Sequence, residues 1–376
     1  MNNYTVLLVT MELNIGGVET HIVELAKELA KEGLRVFVAS NGGVYVKELA
    51  AAGVEHIWAP LHNKRPDNVL KSYHILKRAI TEHKVDIVHA HARIPGFICG
   101  RLHKKMRFPF VTTAHWVFRT SHGLKYITDW GQKTLAVSED IKQYLIDNYQ
   151  LLPQNISLTI NGIDTDKFSP DIDTEDVRRE FELSDTKNRI VYCSRMDADR
   201  SAAAFMLLEA ALELDKAIEN LEIVIVGGGN TYDKLLAEAD AVNQKAGRRL
   251  VICTSARTDV NKFVALGTVF VGVSRAALEA MAAQKPVVVA GNEGYIGLFG
   301  PDKLDVGIAT NFCCRGCEKT SKELLLSDLK EVFTMTEQQR VSLGAFSRKT
   351  VEEHYSVKTM AGQNLRMYES VLKGGK

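Results

Sequence analysis

A helix start directly after a buried strand is the stretch of this sequence best suited to bind an anion. Residues 269–273 are apolar and mostly β-branched, Ser274 follows them, and residues 276–283 are a run of strong helix formers. Ser274 is a typical N-cap residue, so the next backbone N–H groups are predicted to be unpaired. A helix start at the carboxyl end of a parallel strand binds anions, and diphosphate is the usual one. The amides predicted to bind it are those of Arg275, Ala276 and Ala277.

Glu279 lies about one and a half turns into this predicted helix. From there a carboxylate can reach past the phosphates to paired hydroxyls, such as those of a ribose. The alternative is an ordinary amphipathic helix that exposes Glu279 to solvent. The stretch alone favours neither interpretation.

Histidines form a second candidate group. Residues 110–118 are predicted to form a strand that delivers His115 to its carboxyl end. Residues 85–95 are predicted to form another, which delivers His89, His91 and Arg93. His89 and His91 are two residues apart and therefore face the same side of the strand. No third ligand is apparent at metal spacing, so a packed, hydrogen-bonded pair is predicted and no metal or other cofactor is expected.

The six cysteines do not form a recognisable framework. Cys313, Cys314 and Cys317 contain one CxxC spacing, but no second pair completes a zinc site. Two of them are adjacent, and no βα start follows as it does in a thioredoxin motif. Free thiols in a reducing compartment are the preferred interpretation.

The elements that position these residues alternate between strands and helices. Residues 4–10 predict a buried strand, and an amphipathic helix ends at Gly33. The connecting loop lacks the GxGxxG fingerprint, so a plain dinucleotide-binding fold is disfavoured. Gly16 and Gly17 in that loop permit a close backbone approach to a ligand, although tight turns use such pairs as often.

The alternation stops at the turn-rich residues 157–170 and then starts afresh. This pattern predicts two doubly wound, Rossmann-like α/β domains with a cleft between them. The predicted domains are residues 1–160 and residues 161–356. The C-terminal helix, residues 357–376, is expected to pack back on the first domain.

The composition limits the classes of protein to which the chain can belong. With 376 residues, 45% hydrophobic and 25% charged residues and a net charge of +1, the chain has no global basic field, and nucleic acid is not an expected partner. No apolar run is long enough to span a bilayer, and no cleavage signal precedes the first strand. We expect a cytoplasmic protein. Two locally basic stretches, residues 62–78 and 101–108, are candidates for peripheral contact with an anionic membrane or an acceptor.

Eight short motifs occur in order along nearly the whole chain. They are GGVET (16–20), HAH (89–91), TAH (113–115), VSED (137–140), NGIDTDKF (161–168), SR (194–195), VGGG (226–229) and LEAMAAQKPVV (278–288). Each is weak alone. Together they resemble the family-four retaining glycosyltransferases, which have the GT-B fold.

The resemblance implies a nucleotide-sugar donor held mainly by the second domain and an acceptor held mainly by the first. Arg195 and Arg200 match the basic residues that grip the diphosphate, and Glu279 matches the acid on the ribose. Lys is usual at position 200, and Arg keeps the charge but changes its geometry. His115 matches the histidine near the reacting end of the sugar. The remaining implied positions are Gly16, Gly17 and Gly227 near the phosphates, and His89, His91 and Arg93 on the acceptor side.

The sequence differs from the family pattern near Glu279, the residue that matches the acid bound to the ribose. The family has a second acid, which contacts the sugar, eight residues before it, and Val271 stands there. Glu293, in the loop after the next predicted strand, is the nearest acid that could take its place. Arg275 stands where an apolar residue is usual and is expected to add a phosphate contact.

The implied reaction transfers a sugar, with retention, from a nucleotide sugar to a hydroxyl of a sugar, lipid-linked or small-molecule acceptor. A uridine donor is favoured by family frequency, and the leaving phosphate helps to deprotonate the acceptor. Fixed cationic groups and helix amides would stabilise the departing diphosphate. Val271 keeps open the alternative of a nucleotide-sugar-binding protein without turnover, and a GT-B epimerase or hydrolase acting on the same donor is a second alternative.

Overall fold

The computed structural model of the chain describes residues 4–121, 123–184 and 188–373. Two compact units make up the chain. The first comprises Met1–Gly162 and Val357–Lys376, and the second comprises Ile163–Ser356. Strands and helices alternate in both, because apolar β-branched runs are separated by amphipathic stretches with a helical period.

The first unit is a parallel sheet covered by helices. Its strands are β1 (Thr5–Val9), β2 (Arg35–Ser40), β3 (Glu55–Trp58), β4 (Ile87–Ala90), β5 (Phe110–Ala114), β6 (Lys133–Ala136) and β7 (Ile156–Leu158). Its helices up to residue 162 are α1 (Gly17–Lys31), α2 (Val46–Ala51), α3 (Pro66–Glu82), α4 (Arg93–Met106), α5 (Leu124–Ile127) and α6 (Glu139–Tyr149).

The strand order of this sheet is β3-β2-β1-β4-β5-β6-β7, and each pairing is parallel. The direction of winding therefore reverses between β1 and β4. In doubly wound folds, ligands bind beyond the carboxyl ends of the strands at such a switch point.

Two predicted strands of the first unit extend too far. The strand predicted over residues 85–95 ends at Ala90, and α4 begins at Arg93. Pro95 fits there because the first helical turn has no intrahelical partner for its N–H groups. The strand predicted over residues 110–118 likewise ends at Ala114. Arg93 is consequently a helix-start residue rather than a strand residue.

The second unit repeats the architecture. Its strands are β8 (Asn188–Cys193), β9 (Leu221–Val226), β10 (Val251–Thr254), β11 (Val269–Gly272), β12 (Val287–Gly291) and β13 (Gly294–Leu298). The order is β10-β9-β8-β11-β12-β13, with β13 antiparallel to its neighbour, and the switch point lies between β8 and β11. The helices that follow α6 are α7 (Glu175–Glu180), α8 (Ala202–Ala217), α9 (Tyr232–Ala246), α10 (Val260–Leu266), α11 (Ser274–Ala282), α12 (Leu304–Ala309), α13 (Lys322–Thr334), α14 (Glu337–His354) and α15 (Val357–Lys373).

The last helix, α15, belongs to the first unit. It is separated from α14, which ends at His354, and begins at Val357. Met360 and Tyr368 of α15 are fully buried in the same core as Ile22 and Leu25 of α1. None of the helices within the described ranges is both long and apolar enough to cross a membrane.

A buried ion pair joins two neighbouring strands of the second unit. Arg189 at the start of β8 and Glu222 of β9 lie 2.6 Å apart, with side chains only 3% and 6% exposed. The same guanidinium donates to the carbonyl oxygens of Leu266 and Ser184, at 3.2 and 2.8 Å. Such a charge is tolerated in an interior because its donors are satisfied.

Candidate functional site

In the second unit, the predicted donor-binding residues lie at the switch point of the sheet. Arg195 follows the end of β8 by two residues, and Glu279 lies in α11, which follows the adjacent strand β11. Burial, together with the charge of Glu279, raises the pKa of the Cys193 thiol at the end of β8 to about 12. Glu279 is thus close to the carboxyl end of β8, beside the segment that carries Arg195.

The start of α11 differs from the prediction. Ser274 is not the N-cap, because Val273 occupies that position and makes no side-chain capping bond. Strand β11 and helix α11 are separated by Val273 alone, and Ser274 has a left-handed φ of 53° that makes this tight turn. The Ser274 N–H donates to the Phe312 carbonyl at 2.7 Å, and the Ala277 N–H donates to that of Val273 at 3.4 Å. Ala277 therefore does not present the unpaired amide that was expected.

Glu279 is buried and ion-paired. Arg275 Nε donates to Glu279 Oε1 at 2.8 Å, and the two side chains are 11% and 12% exposed. The interpretation of Glu279 as a solvated surface acid is therefore wrong. The pair also shows that the Arg275 guanidinium lies against its own helix in this structure.

Arg195 and Arg200 differ from Arg275 in being half exposed and loosely paired. Arg195 Nε lies 3.5 Å from an oxygen of Asp197 with a side chain 50% exposed. Arg200 Nε lies 3.7 Å from an oxygen of Asp199 with a side chain 46% exposed. Exposed pairs at these distances are weak, so both guanidinium groups can turn towards an anion at little energetic cost.

Glycines let the loop after β9 touch the loop after β8. Gly227 has a φ of 143°, and a Cβ there would overlap the carbonyl oxygen of Ser194. The Met196 N–H donates to the Gly228 carbonyl at 3.0 Å, next to this contact. Close loop packing accounts for Gly227, and its donor-binding role stays a prediction.

Val271 stands at the position of the missing family acid, and Glu293 is the acid that was predicted to take its place. Val271 lies inside β11 and its side chain is fully buried in the core, so a carboxylate at that position would face the core. The short connection between β11 and α11 leaves room for no loop that could carry an acid. Glu293, in the turn between β12 and β13, accepts a hydrogen bond from Arg315 Nε at 2.8 Å. Its contact with a sugar stays a prediction.

Asn292, next to Glu293, was not singled out by the sequence. Its side-chain oxygen accepts a hydrogen bond from the Ala202 N–H at 3.0 Å, at the start of α8. It thereby fixes the β12–β13 turn beside the segment that carries Arg200. An asparagine between two strands carries no periodic signal that would have revealed this role.

In the first unit, the histidines gather at the switch point between β1 and β4. His91 follows β4 and His115 follows β5, each by one residue. His91 Nδ1 and His115 Nε2 form a hydrogen bond of 3.1 Å. His21 of α1 packs edge-on against His115, with ring centroids 4.6 Å apart. Sequence spacing did not reveal His21, because the contact depends on the neighbouring positions of β1, β4 and β5 in the sheet.

His89 is a fully buried residue that links α15 to the sheet. Its Nδ1 is hydrogen-bonded to Tyr368 Oη at 2.8 Å, and its Nε2 to Thr113 Oγ1 at 2.7 Å. Its ring lies 4.0 Å from that of His91, centroid to centroid. Both ring nitrogens are thus used inside the protein. The predicted acceptor-side role of His89 is at most indirect, through the ring of His91.

Burial keeps these imidazoles neutral. It lowers the pKa of His115 to about 3. Burial and the charge of His115 lower the pKa of His89 to about 3. Burial, followed by the charges of His89, His115 and His21, lowers the pKa of His91 well below its usual range. At neutral pH His89, His91 and His115 therefore offer lone pairs and N–H donors and no positive charge.

Arg93 does not join the histidines. It donates to the Arg119 carbonyl at 2.7 Å and to Tyr149 Oη at 3.2 Å, and it stacks on Phe118. These contacts hold the chain that follows β5 against α6.

Gly16 and Gly17 form the start of α1. Gly16 is the N-cap residue in an extended conformation, and its carbonyl accepts bonds from the Thr20 N–H at 2.9 Å and from Thr20 Oγ1 at 2.8 Å. A Cβ on Gly16 would overlap the Glu19 carboxylate. Their approach to a ligand phosphate stays a prediction.

Two Rossmann-like α/β units, each with polar residues at its switch point, define the GT-B class of fold. Known proteins agree with this assignment. Residues 15–167 match the family model described as Glycosyltransferase Family 4, and residues 187–299 match the one described as Glycosyl transferases group 1. The first match covers most of the first unit and the second lies within the second unit, so both units match models of glycosyltransferase families.

Several known proteins are similar to this chain in structure or in sequence. A glycosyltransferase structure from Rickettsia africae ESF-5 superposes with a TM-score of 0.78 at 22% identity, over 99% of this chain and 100% of that one. The Anabaena protein Alr3699/HepE, solved with UDP, superposes with a TM-score of 0.70 at 16% identity, over 97% and 100%. A D-inositol 3-phosphate glycosyltransferase from Thermobifida fusca is 25% identical over 248 residues, which are 57% of this chain and 56% of that relative. The aligned region thus spans little more than half of that relative.

Proposed function

We propose that this protein is a retaining hexosyltransferase that moves a sugar from a nucleoside-diphosphate sugar to a hydroxyl group. The observation that carries the proposal is the arrangement at the switch point of the second unit. Two half-exposed arginines, Arg195 and Arg200, follow β8, and the buried Glu279 lies in α11, which follows the adjacent strand β11. Cations for a diphosphate and an acid for ribose hydroxyls are the groups that a nucleotide-sugar donor requires.

Electrostatics would supply much of the catalysis. When the bond between the sugar and the phosphate breaks, negative charge grows on the departing diphosphate. Arg195, Arg200 and the first amides of α11 would stabilise that charge from fixed positions. His115, neutral and at the end of β5, would donate or accept a hydrogen bond at the sugar. We further propose that the transfer retains the configuration at the reacting carbon of the sugar, and that the leaving phosphate helps to deprotonate the acceptor.

A uridine donor is the preferred hypothesis. Structures of the similar Anabaena protein were determined with UDP and with UDP-glucose. For the acceptor, the name of the Thermobifida fusca relative points to a polyol phosphate as one compound worth testing. Sugars and lipid-linked acceptors stay on the same panel, and the basic stretches at 62–78 and 101–108 would suit peripheral contact with an anionic membrane surface.

The second candidate is a protein that binds a nucleotide sugar without transferring it. One observation favours it: Val271 lies in the core, and no loop between β11 and α11 supplies an acid to the sugar. A GT-B epimerase or hydrolase acting on the same donor is a further alternative.

Release of nucleoside diphosphate separates these functions. The protein is incubated with UDP-hexoses, with and without the acceptor panel, and free UDP is measured. A transferase releases UDP only when an acceptor is present, whereas a hydrolase releases it without one. Donor binding with no release under any condition would support the binding protein.

The variant His115→Ala tests whether His115 acts in sugar transfer rather than in nucleotide binding. We expect turnover to fall while affinity for UDP stays nearly intact, because His115 lies in the first unit and is assigned to the sugar. The exposed histidine His74, changed to alanine, is the matched control. Equal loss of turnover and UDP affinity would contradict the assignment of His115.

A further inference from the structure

Three histidines of the first unit converge from three separate elements. His21 lies in α1, which follows β1, and His91 and His115 each follow their strands by one residue. Because β1, β4 and β5 are neighbours in the sheet, the three side chains reach one place beyond its carboxyl edge. One ring nitrogen of each histidine lies within 4.8 Å of the corresponding nitrogen of the other two.

These distances suit a small divalent ion. Zinc binds imidazole nitrogen at about 2.0–2.1 Å, so two nitrogens on one tetrahedral ion are about 3.3 Å apart. His91 Nδ1 and His115 Nε2 are already 3.1 Å apart. A metal ion would replace the proton that these two nitrogens now share. His21 offers the third nitrogen, and a side-chain rotation would bring it closer to complete the set.

The surroundings distinguish ligands from supporting residues. His89 uses both of its ring nitrogens, on Tyr368 and Thr113, so it cannot be a ligand. Its ring instead packs against His91 and holds it in place. His91 Nε2, which is not the nitrogen bonded to His115, is buried and has no hydrogen-bond partner among the described residues. His91 is therefore not a fully hydrogen-bonded core histidine like His89, although its Nδ1 is the nitrogen that would bind the ion.

We propose that His21, His91 and His115 form a binding site for a borderline divalent metal ion of the zinc type. Three neutral nitrogen ligands favour Zn²⁺, Co²⁺, Ni²⁺ or Cu²⁺ over Mg²⁺ and Ca²⁺, which prefer oxygen. Three protein ligands leave a fourth position of a tetrahedral ion open to water or a substrate oxygen. The open side is that of His115, which is the least buried of the three.

Cobalt is the probe for this site, because four-coordinate Co²⁺ absorbs visible light and reports its ligands. Tag-free protein is treated with a chelator and titrated with Co²⁺. We expect a visible ligand-field band that saturates at one Co²⁺ per chain and disappears when Zn²⁺ is added. His21→Gln, His91→Gln and His115→Gln should each weaken Co²⁺ binding by at least about a hundredfold, since even changes to supporting residues cost 10–100-fold.

Two controls keep the ligand assignment specific. His74→Ala removes an exposed histidine of the same unit and should leave the titration unchanged. Cys317→Ser removes one thiol of the 313–317 segment and should also have no effect. Circular dichroism verifies that each variant is folded.

Several results would overturn the proposal. Wild-type protein that gives no visible Co²⁺ band, or a band that survives in folded His21→Gln and His115→Gln, contradicts the three-histidine site. A near-ultraviolet thiolate-to-cobalt band that is lost in Cys317→Ser would place the ion on the cysteines instead.

Discussion

At the scale of residues, the second unit carries two kinds of arginine around its switch point. The Arg275 side chain is only 11% exposed and is bonded to Glu279 at 2.8 Å, so moving it would leave a carboxylate in a poorly solvated place. Arg195 and Arg200 are half exposed, and their nearest acids are 3.5 and 3.7 Å away. The binding of a diphosphate by the exposed pair stays a proposal. Arg275 holds Glu279 in the structure, and its expected phosphate contact stays a prediction.

Replacing Arg195 by alanine tests this division. The change removes a charge-assisted contact worth roughly 1.5–3 kcal/mol, so UDP affinity should fall about ten- to a hundredfold. Isothermal titration calorimetry measures it. Arg179→Ala, which removes another exposed arginine of the same unit with an i,i+4 partner, serves as the control. UDP affinity that is the same in folded Arg195→Ala as in wild type would remove Arg195 from the site.

At the scale of elements, the switch point depends on a tight turn. The chain passes from β11 to α11 through Val273, and Ser274 adopts a φ of 53°. Left-handed backbone costs an ordinary residue roughly 1–2 kcal/mol, whereas glycine adopts it readily. Such strain near a candidate ligand site is stable only because the surrounding strand and helix are well packed.

Ser274→Gly should therefore stabilise the second unit. We expect a gain of about 0.5–1 kcal/mol in the free energy of unfolding, after allowing for the greater entropy of glycine in the unfolded chain. Urea denaturation followed by circular dichroism measures it. Ser274→Ala is the matched control, since it removes the same hydroxyl but keeps the strained φ and should give no gain. Equal stabilities of the two variants would argue against backbone strain at this turn.

Sequence predicted the elements better than their ends. The strand predicted over residues 4–10 is observed as β1, Thr5–Val9, because a β-branched, apolar run has clear borders. The strand over 85–95 was extended too far, since Pro95 can end a strand or begin a helix and apolar periodicity does not distinguish the two. The edge strand β13 was not predicted, because glycines interrupt its alternation.

The sequence also revealed only part of the candidate sites. Glu279 was found by its position in a helix after a strand, which is local information. The hydrogen bond between Glu279 and Arg275 was not predicted, because sequence alone does not say which way a long side chain turns. His21 was missed because its contact with His115 joins residues that are far apart in the chain.

At the scale of the whole molecule, the two units have separate hydrophobic cores. One core is built on β8 and its neighbours in the second unit, and others surround β1 in the first, where α15 completes one of them. All three tryptophans, Trp58, Trp116 and Trp130, belong to the first unit. Tryptophan fluorescence therefore reports on the first unit, while circular dichroism reports on both.

Arg189→Ala tests the independence of the cores. The variant leaves the buried carboxylate of Glu222 without its partner, and breaking such a pair costs about 3–5 kcal/mol. We expect the second unit to unfold at a lower urea concentration, as seen by circular dichroism. The transition seen by tryptophan fluorescence should stay at the same urea concentration. Arg179→Ala, on the surface, should move neither. A joint shift of both signals would mean that the units unfold as one.

The second unit is proposed to bind the nucleoside diphosphate of a sugar donor. Thermal unfolding in the presence of nucleoside diphosphates and nucleotide sugars tests it most directly, because a ligand that binds only the native state stabilises it. At a concentration one hundred times the dissociation constant, the gain is about 2.7 kcal/mol. We predict that UDP and at least one UDP-sugar raise the midpoint of wild type, and that Arg195→Ala loses most of this shift. If no nucleoside diphosphate or nucleotide sugar changes the midpoint at millimolar concentration, the account is contradicted.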